Sequence, residues 1–178
     1  MKGYGLAAAL LLSVCSSAAS AQSHASTGDA FAGYSMVVSD GEAMHGWHAA
    51  LGWGKWGPGL GLLLDASGHQ GSDAEGTDAS LLSLMAGPRV TFGHRRLRPF
   101  VHVIGGVVRS KASVSVFDVE ISESSTDLGG AAGGGFDLGF GNRWGLRLAA
   151  DYRGVKIGDG TTREPRFSAG VAYKFGAR

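Results

Sequence analysis

The length, composition and charge of the chain exclude several classes of protein. Its 178 residues carry a formal net charge of +1 and include 31 glycines, which are scattered through apolar segments without the triplet repeat of collagen. The sequence has no basic excess of the kind that binds nucleic acid, so we expect no nucleic-acid partner. The length suits one domain, and no proline-rich linker divides it.

The first residues have the features of a cleavable signal peptide. Lys2 supplies a positive charge, Leu6 to Val14 form a short apolar run, and a small-x-small cleavage pattern follows. The run is shorter than the roughly 20 apolar residues that a spanning helix needs. We therefore predict a signal peptide over residues 1–21 and one domain over residues 22–178. Removal of the leader also removes Cys15, the only cysteine, so we expect no disulfide in the mature chain.

Beyond the leader, apolar residues alternate with small or polar ones, which is the pattern of a strand with two different faces. Five segments fit this pattern in the first two-thirds of the chain: Ala30–Val38, Met44–Trp53, Gly59–Ser67, Leu81–Phe92 and Pro99–Lys111. In the last of these, valines lie on both faces, so its orientation stays open.

The final three segments alternate most clearly. In Trp144–Arg153 the even-numbered positions are apolar, and the odd-numbered ones are small or charged. The segments 128–140 and Phe167–Phe175 repeat this arrangement. The total is eight strands, and an even number suits a closed antiparallel barrel. The sequence therefore predicts an all-β fold, an eight-stranded up-and-down transmembrane β-barrel.

The connections alternate between short and long, as in outer-membrane barrels. Short links are predicted at Gly54–Pro58, Gly93–Arg98 and Gly141–Arg143, and long polar loops at Gly68–Asp78, Ala112–Thr126 and Gly154–Pro165. If both termini are periplasmic, every long loop lies outside the cell.

The face opposite the apolar one favours a membrane barrel over a soluble β domain, which alternates as well. That face is rich in glycine and alanine, which are poor strand formers in water but tolerable in lipid, where closed backbone hydrogen bonding holds the sheet. Arg147 lies in the middle of its strand, where a lipid-facing charge costs about 2 to 4 kcal/mol, so it must point inward. We predict a charge network in the lumen formed by Asp65, Arg89, Asp137, Arg147, Asp151, Arg153 and Lys174. We also predict an aromatic girdle near the short turns, formed by Trp53, Trp56, Phe92, Phe100, Phe140, Trp144 and Phe175.

The ending of the chain is its most specific motif. Ser168, Gly170, Tyr173 and Phe175 form a polar, glycine, aromatic, aromatic pattern, although three residues follow Phe175. With the glycine-rich strand before it, this ending resembles the small outer-membrane β-barrel family typified by the OmpA transmembrane domain and the opacity-type proteins of Gram-negative bacteria. The resemblance implies an outer-membrane location, contact with outer-membrane lipid, and insertion by the barrel-assembly machinery through these four residues. It does not imply one activity, since anchors, adhesins, channels and a few enzymes share the fold.

Few residues of the sequence are candidates for catalysis or metal binding. Ser67, His69 and Asp73 lie where the third strand is predicted to leave the membrane, as a hydrolase acting on lipid A or peptides at the outer rim would require. His45 and His48 project to opposite faces of one strand, so we expect no metal site there, and we expect no cofactor. The leading hypothesis is a non-enzymatic structural or surface-interaction role, the alternative is a narrow porin-like channel, and the third is the hydrolase.

Overall fold

A computed structural model describes residues 27–39, 42–54, 59–72, 78–92, 96–116, 119–140, 142–157 and 160–176. These residues form eight strands: β1 Thr27–Ser39, β2 Glu42–Gly54, β3 Gly59–Ser72, β4 Asp78–Thr91, β5 Leu97–Val116, β6 Val119–Phe140, β7 Trp144–Ile157 and β8 Gly160–Phe175. In the part of the chain described, no helix is long and apolar enough to cross a membrane.

Each strand pairs antiparallel with the next in sequence, and β8 pairs with β1 to close the barrel. The predicted fold class is therefore confirmed. The closing seam runs from Gly28 opposite Phe175 to Val37 opposite Arg166. In lipid such closure is obligatory, because an unpaired backbone group there costs several kcal/mol.

Alternation along each strand separates two surfaces. On β7, Leu146, Leu148 and Tyr152 are exposed on the outside, whereas Arg147 and Asp151 are buried inside. On the other strands, too, the exposed large apolar side chains lie on the outer face, whereas the buried charged side chains line the lumen together with apolar ones such as Leu63 and Met85. A band of this kind is what a barrel presents to hydrocarbon.

The orientation of β5, which the sequence leaves open, is settled by burial. His102 and Ile104 are buried inside, whereas Val101 and Val103 are exposed outside. One predicted girdle residue is consequently misplaced: Phe100 is 4% exposed and points into the lumen, because it shares the parity of His102.

The other predicted girdle members fall into three groups. Trp53, Phe92, Phe140 and Trp144 are exposed on the outer surface. Phe175 is half-buried on the same side, and Trp56 lies outside the described residues. Most of the described members therefore occupy the outer face, where an interfacial girdle belongs.

The three predicted long loops are wrong in extent. Most of Gly68–Asp78, Ala112–Thr126 and Gly154–Pro165 is paired strand, so the hairpins continue well past the segments where apolar alternation stops. The pairing of β5 with β6 runs on as far as Val116 and Val119. Polar Ser/Thr-rich sequence carries no apolar contrast, and periodicity alone therefore misses these extensions.

Candidate functional site: a charged network in the lumen

The lumen is lined by charged side chains that the alternation of the strands directs inward. Among the described residues the buried acids are Asp29, Asp65, Asp137, Asp151 and Glu164, and the buried bases are Arg89, Arg98, Arg147, Arg153, Arg166 and Lys174. Charges removed from water are tolerated only when they are paired and hydrogen-bonded. Most of their contacts fall into two clusters, and Arg153 pairs with Glu164 outside both.

The first group, which we call the turn-end cluster, consists of Asp29, Arg89, Arg98, Asp137 and Arg147. Arg147 is its centre: Nε donates to Asp137 Oδ1 at 2.6 Å, and Nη2 donates to Asp137 Oδ2 at 3.1 Å and to Asp29. Arg89 also donates to Asp29, with Nη1 3.1 Å from Oδ2, and Arg98 Nη2 donates to Asp137 Oδ2 at 2.9 Å. Two carboxylates, from β1 and β6, thus bind three guanidinium groups, from β4, β5 and β7.

Aromatic rings pack against this cluster. The guanidinium carbon of Arg147 lies 4.9 Å from the centre of the Phe100 ring and 5.4 Å from that of Phe31. Arg89 lies 5.9 Å from the Phe100 ring centre. Cation–π contacts of this kind strengthen when water is excluded. Phe100 therefore packs against Arg147 and Arg89 inside the lumen.

The second group, which we call the mid-lumen cluster, consists of Asp65, Asp151, Arg166, His48 and His102. Arg166 donates to both oxygens of Asp65, at 2.8 and 2.9 Å, and through Nε to Asp151 at 2.9 Å. His48 Nε2 donates to Asp65 Oδ2 at 2.5 Å. His102 Nε2 lies 2.8 Å from Asp151 Oδ1, although the angle falls outside hydrogen-bond geometry. A position between two carboxylates suits arginine rather than lysine, because the planar guanidinium can donate to both at once.

Arg153 lies on β7 two positions beyond Asp151, and it is fully buried. Its Nη2 donates to Glu164 at 3.3 Å, and Ser39 Oγ donates to the same carboxylate at 2.9 Å. Arg153 Nε and Nη1 have no hydrogen-bond partner among the described residues. Buried donors in this position are commonly satisfied by ordered water.

Glycines make room for two of these ion pairs. A Cβ placed on Gly52 would overlap the Arg89 guanidinium and lie 2.5 Å from Asp29 Oδ1. A Cβ on Gly133 would likewise overlap the Asp151 carboxylate. The inward glycines opposite charged residues are therefore required by the space that the network occupies.

All seven predicted lumen residues are buried inside the barrel. Asp137, Arg147 and Arg89 lie in the turn-end cluster, Asp65 and Asp151 in the mid-lumen cluster, and Arg153 beside Glu164. Lys174 is buried at the turn end, in register with Asp29.

Sequence reasoning missed four charged residues of the lumen. Asp29, Arg98 and Arg166 each lie one position before a predicted strand, and Glu164 falls in a predicted loop. Extending the alternation backwards by one step would have placed the first three inward, since each shares the parity of a residue that faces the lumen.

The candidate hydrolase residues are not arranged as a catalytic site. Ser67 and His69 are fully buried in the lumen rather than exposed at a rim. Ser67 Oγ shares a hydrogen bond of 2.8 Å with Ser83 and accepts one of 3.2 Å from Arg166. His69 Nε2 is engaged by Ser35 Oγ at 2.9 Å, and Asp73 lies outside the described residues. The hydrogen bonds of Ser67 and His69 thus go to other residues, and the structure does not bring this serine and this histidine together as the hydrolase hypothesis would require.

The remaining histidines are dispersed. His45 lies on the outer surface, where its Nδ1 shares a hydrogen bond with the Tyr34 hydroxyl, and His48 faces the lumen. His24 and His94 lie outside the described residues. Within the ranges that the structure describes, no group of three or more His, Cys, Asp or Glu could hold a metal ion.

The four residues of the predicted assembly signal lie on β8, the strand that closes the barrel against β1. Ser168 is buried and faces the lumen, as does Gly170, whereas Tyr173 and Phe175 face outward and are half-buried. A Cβ on Gly28 of β1 would overlap the Phe175 ring. The terminal aromatic therefore covers a bare stretch of backbone at the seam.

Comparison with known proteins gives one family. The model of the outer membrane protein β-barrel domain matches residues 6–175. A search of curated proteins found no match.

Several solved structures are similar in fold. Ail, the attachment invasion locus protein of Yersinia pestis, is 21% identical with a TM-score of 0.61, over 84% of this chain and 99% of that one. Neisserial surface protein A is 20% identical with a TM-score of 0.59, over 85% and 98%. The N-terminal β-barrel domain of Pseudomonas aeruginosa OprF is 18% identical with a TM-score of 0.53, over 86% and 100%.

Proposed function

Because the chain belongs to the outer membrane protein β-barrel domain family, we propose that it serves the outer membrane as a closed, non-enzymatic barrel that supports the envelope and presents its long hairpins for surface contact. Outer-membrane lipid covers its apolar band. The barrel-assembly machinery recognises its last strand, its termini are periplasmic, and the hairpins that extend beyond the apolar band are extracellular. The fold alone does not select this role, which is supported by the bonding inside the lumen.

One observation carries the proposal: the turn-end cluster joins opposite sides of the lumen. Arg147 of β7 bonds Asp29 of β1 and Asp137 of β6, while Arg89 and Arg98 bond the same two carboxylates from β4 and β5. An eight-stranded barrel encloses only enough space for its own side chains. Paired charges occupy that space together with buried apolar side chains such as Leu63 and Met85, which favours a closed barrel over the porin-like channel.

Conductance distinguishes these two functions. We expect purified protein in a planar lipid bilayer to give no discrete current steps. Arg147→Ala removes the central cation, and we expect it to produce steps or unstable current. The matched control is Arg109→Ala, which changes an exposed arginine on the outer face of β5. This variant should give no current steps. Regular steps from the unmodified protein, altered in size by Arg147→Ala, would contradict the closed lumen and favour a channel.

A non-catalytic role is supported by the bonding of the candidate side chains. A nucleophilic serine needs a base within hydrogen-bond reach and an accessible substrate. Ser67 instead accepts a hydrogen bond from Arg166, and this bond withdraws electron density from its oxygen. Both Ser67 and His69 are buried beyond the reach of a lipid or peptide at the rim.

A further inference from the structure

Two exposed arginines lie at the turn end of the barrel, the end that carries the turns before β5 and before β7. Arg96 precedes β5, and Arg143 precedes β7. The Arg96 carbonyl accepts a hydrogen bond of 2.7 Å from the Gly139 N–H, and the Arg143 carbonyl accepts one of 2.7 Å from the Lys174 N–H. Both arginine side chains therefore project from backbone that a neighbouring strand holds in place.

Arg143 lies at the level of an aromatic row on the outer face. Its Nη1 donates to the Tyr173 hydroxyl at 3.2 Å, and the Tyr173 ring centre lies 4.8 Å from that of Trp144. Phe140 is paired with Trp144, and both are exposed. Tryptophan and tyrosine on the outside of a membrane protein mark the depth of the lipid headgroups. The Arg143 guanidinium is therefore placed among headgroups rather than in hydrocarbon.

The turn end offers these exposed arginines no exposed carboxylate. Among the described residues, the last five of each strand at this end contain two acids, Asp29 and Asp137, and both are buried in the turn-end cluster. These two carboxylates already bind three guanidinium groups. The lumen at this end thus has a positive surplus, and an opposite charge for Arg96 and Arg143 has to come from the surroundings.

The surroundings of Arg143 favour a lipid over an anion dissolved in water. One step deeper in the membrane than the aromatic row, Leu138, Leu146 and Val171 form an exposed apolar row on adjacent strands. Acyl chains that lie along this row bring their phosphate to the level of Arg143. An anionic headgroup attracts a nearby arginine, whereas a zwitterionic one carries its own compensating cation.

We propose that the turn end binds anionic phospholipid, with the phosphate held by Arg143 and Tyr173 and attracted by Arg96. Because the Tyr173 hydroxyl accepts a hydrogen bond from Arg143, its own proton can be donated to a phosphate oxygen. The inference rests on the proposed role in the membrane. In cells it also rests on the proposed topology, which places this end in the periplasmic leaflet.

The test identifies the lipid next to Trp144 in the full folded protein in vesicles. Trp47→Phe, Trp53→Phe and Trp56→Phe leave Trp144 as the only tryptophan. The vesicles contain equal amounts of phosphatidylglycerol and phosphatidylethanolamine, and the acyl chains of one or the other carry bromine, which quenches tryptophan fluorescence. We expect stronger quenching by brominated phosphatidylglycerol. Equal quenching by the two lipids would overturn the proposal.

Further variants locate the site. Arg143→Gln should lower the preference for phosphatidylglycerol at Trp144 about fivefold, as expected for one arginine near an anionic surface. Arg109→Gln removes an exposed arginine farther along β5, away from the turn end, and should leave the preference unchanged. An equal loss in both variants would show a response to net charge alone and would overturn the assignment to Arg143.

Native mass spectrometry gives a second readout on the protein with all its tryptophans. From an equal mixture of the two phospholipids, we expect the protein to retain phosphatidylglycerol preferentially, and Arg96→Gln combined with Arg143→Gln should reduce that preference. Equal retention of both lipids, or an unchanged preference in the double variant, would contradict the proposal. A barrel that shows no lipid preference still gives no current steps if its lumen is closed, so failure of this inference and failure of the proposed function are distinguishable.

Discussion

Arg147 is the residue on which the turn-end cluster depends most. Its side chain contacts two aromatic rings and bonds the carboxylates of both Asp29 and Asp137. Removing one partner of a buried ion pair costs about 3 to 5 kcal/mol, because the remaining charge stays buried. Here Arg89 and Arg98 remain, so we expect the lower end of this range.

We therefore predict that Arg147→Ala lowers the free energy of unfolding by about 3 kcal/mol. The measurement is urea unfolding in lipid vesicles, followed by tryptophan fluorescence. Arg109→Ala, on the exposed outer face, should change it by no more than about 0.5 kcal/mol. Equal losses in both variants would mean that the lumen network contributes nothing specific to stability.

The inward direction of Arg147 could be predicted from sequence because two independent constraints agree: strict alternation in β7 and the cost of a charge at mid-membrane. Its partners could not. Asp29 lies on β1, distant in sequence, and alternation gives the face of a residue but never its neighbours across the lumen. Phe100 departs from the prediction for a related reason, since an aromatic residue near a turn suits either the membrane interface or the barrel interior.

At the scale of elements, β8 is the strand that completes the barrel. The Phe175 ring lies against Gly28 at the seam, where any side chain on β1 would collide with it. Closing the last pair of strands removes the final unpaired edge from lipid. The terminal aromatic is thus placed to stabilise closure as well as to serve in recognition.

We predict that Phe175→Ala reduces the fraction of chain recovered as folded barrel in outer-membrane preparations. Folded and unfolded forms are separated by gel mobility before and after boiling. Val171→Ala alters an exposed outward residue of the same strand and should leave that fraction unchanged. If both substitutions lower it equally, the effect belongs to general apolar burial rather than to the strand terminus.

The existence of all eight strands could be predicted from sequence, but the ends of several could not. Apolar alternation marks only the portion of a strand that meets lipid. Residues 119–126 are paired with β5 yet are mostly polar, so their sequence resembles a loop. That β6 pairs with β5 from Val119 but with β7 only from Gly129 could not be predicted either, because it is a property of register.

At the scale of the whole molecule, the proposed orientation in the membrane can be tested at the hairpins and turns. The proposed topology places the β5–β6 hairpin outside the cell and the turn between β6 and β7 in the periplasm. Cys15 is the only cysteine in the sequence and lies in the predicted leader, so a single introduced cysteine can report its own accessibility.

We predict that Ser124→Cys, on β6, reacts with a membrane-impermeant maleimide in intact cells. Asn142→Cys, at the exposed turn before β7, should react only after the outer membrane is permeabilised. Gel shift of the labelled protein measures both. The reverse labelling pattern would show that the barrel has the opposite orientation in the membrane.

The ion pairs of the lumen join parts of the chain that are synthesised far apart. Asp29 and Arg147 are separated by 118 positions, and Asp65 and Arg166 by 101. A sheet that still lacks its last strands would hold several of these charged side chains without their ion-pair partners. We therefore expect an incomplete barrel to be less stable than the closed one, because Asp65 and Asp151 gain their bonds to Arg166 only when β8 is in place.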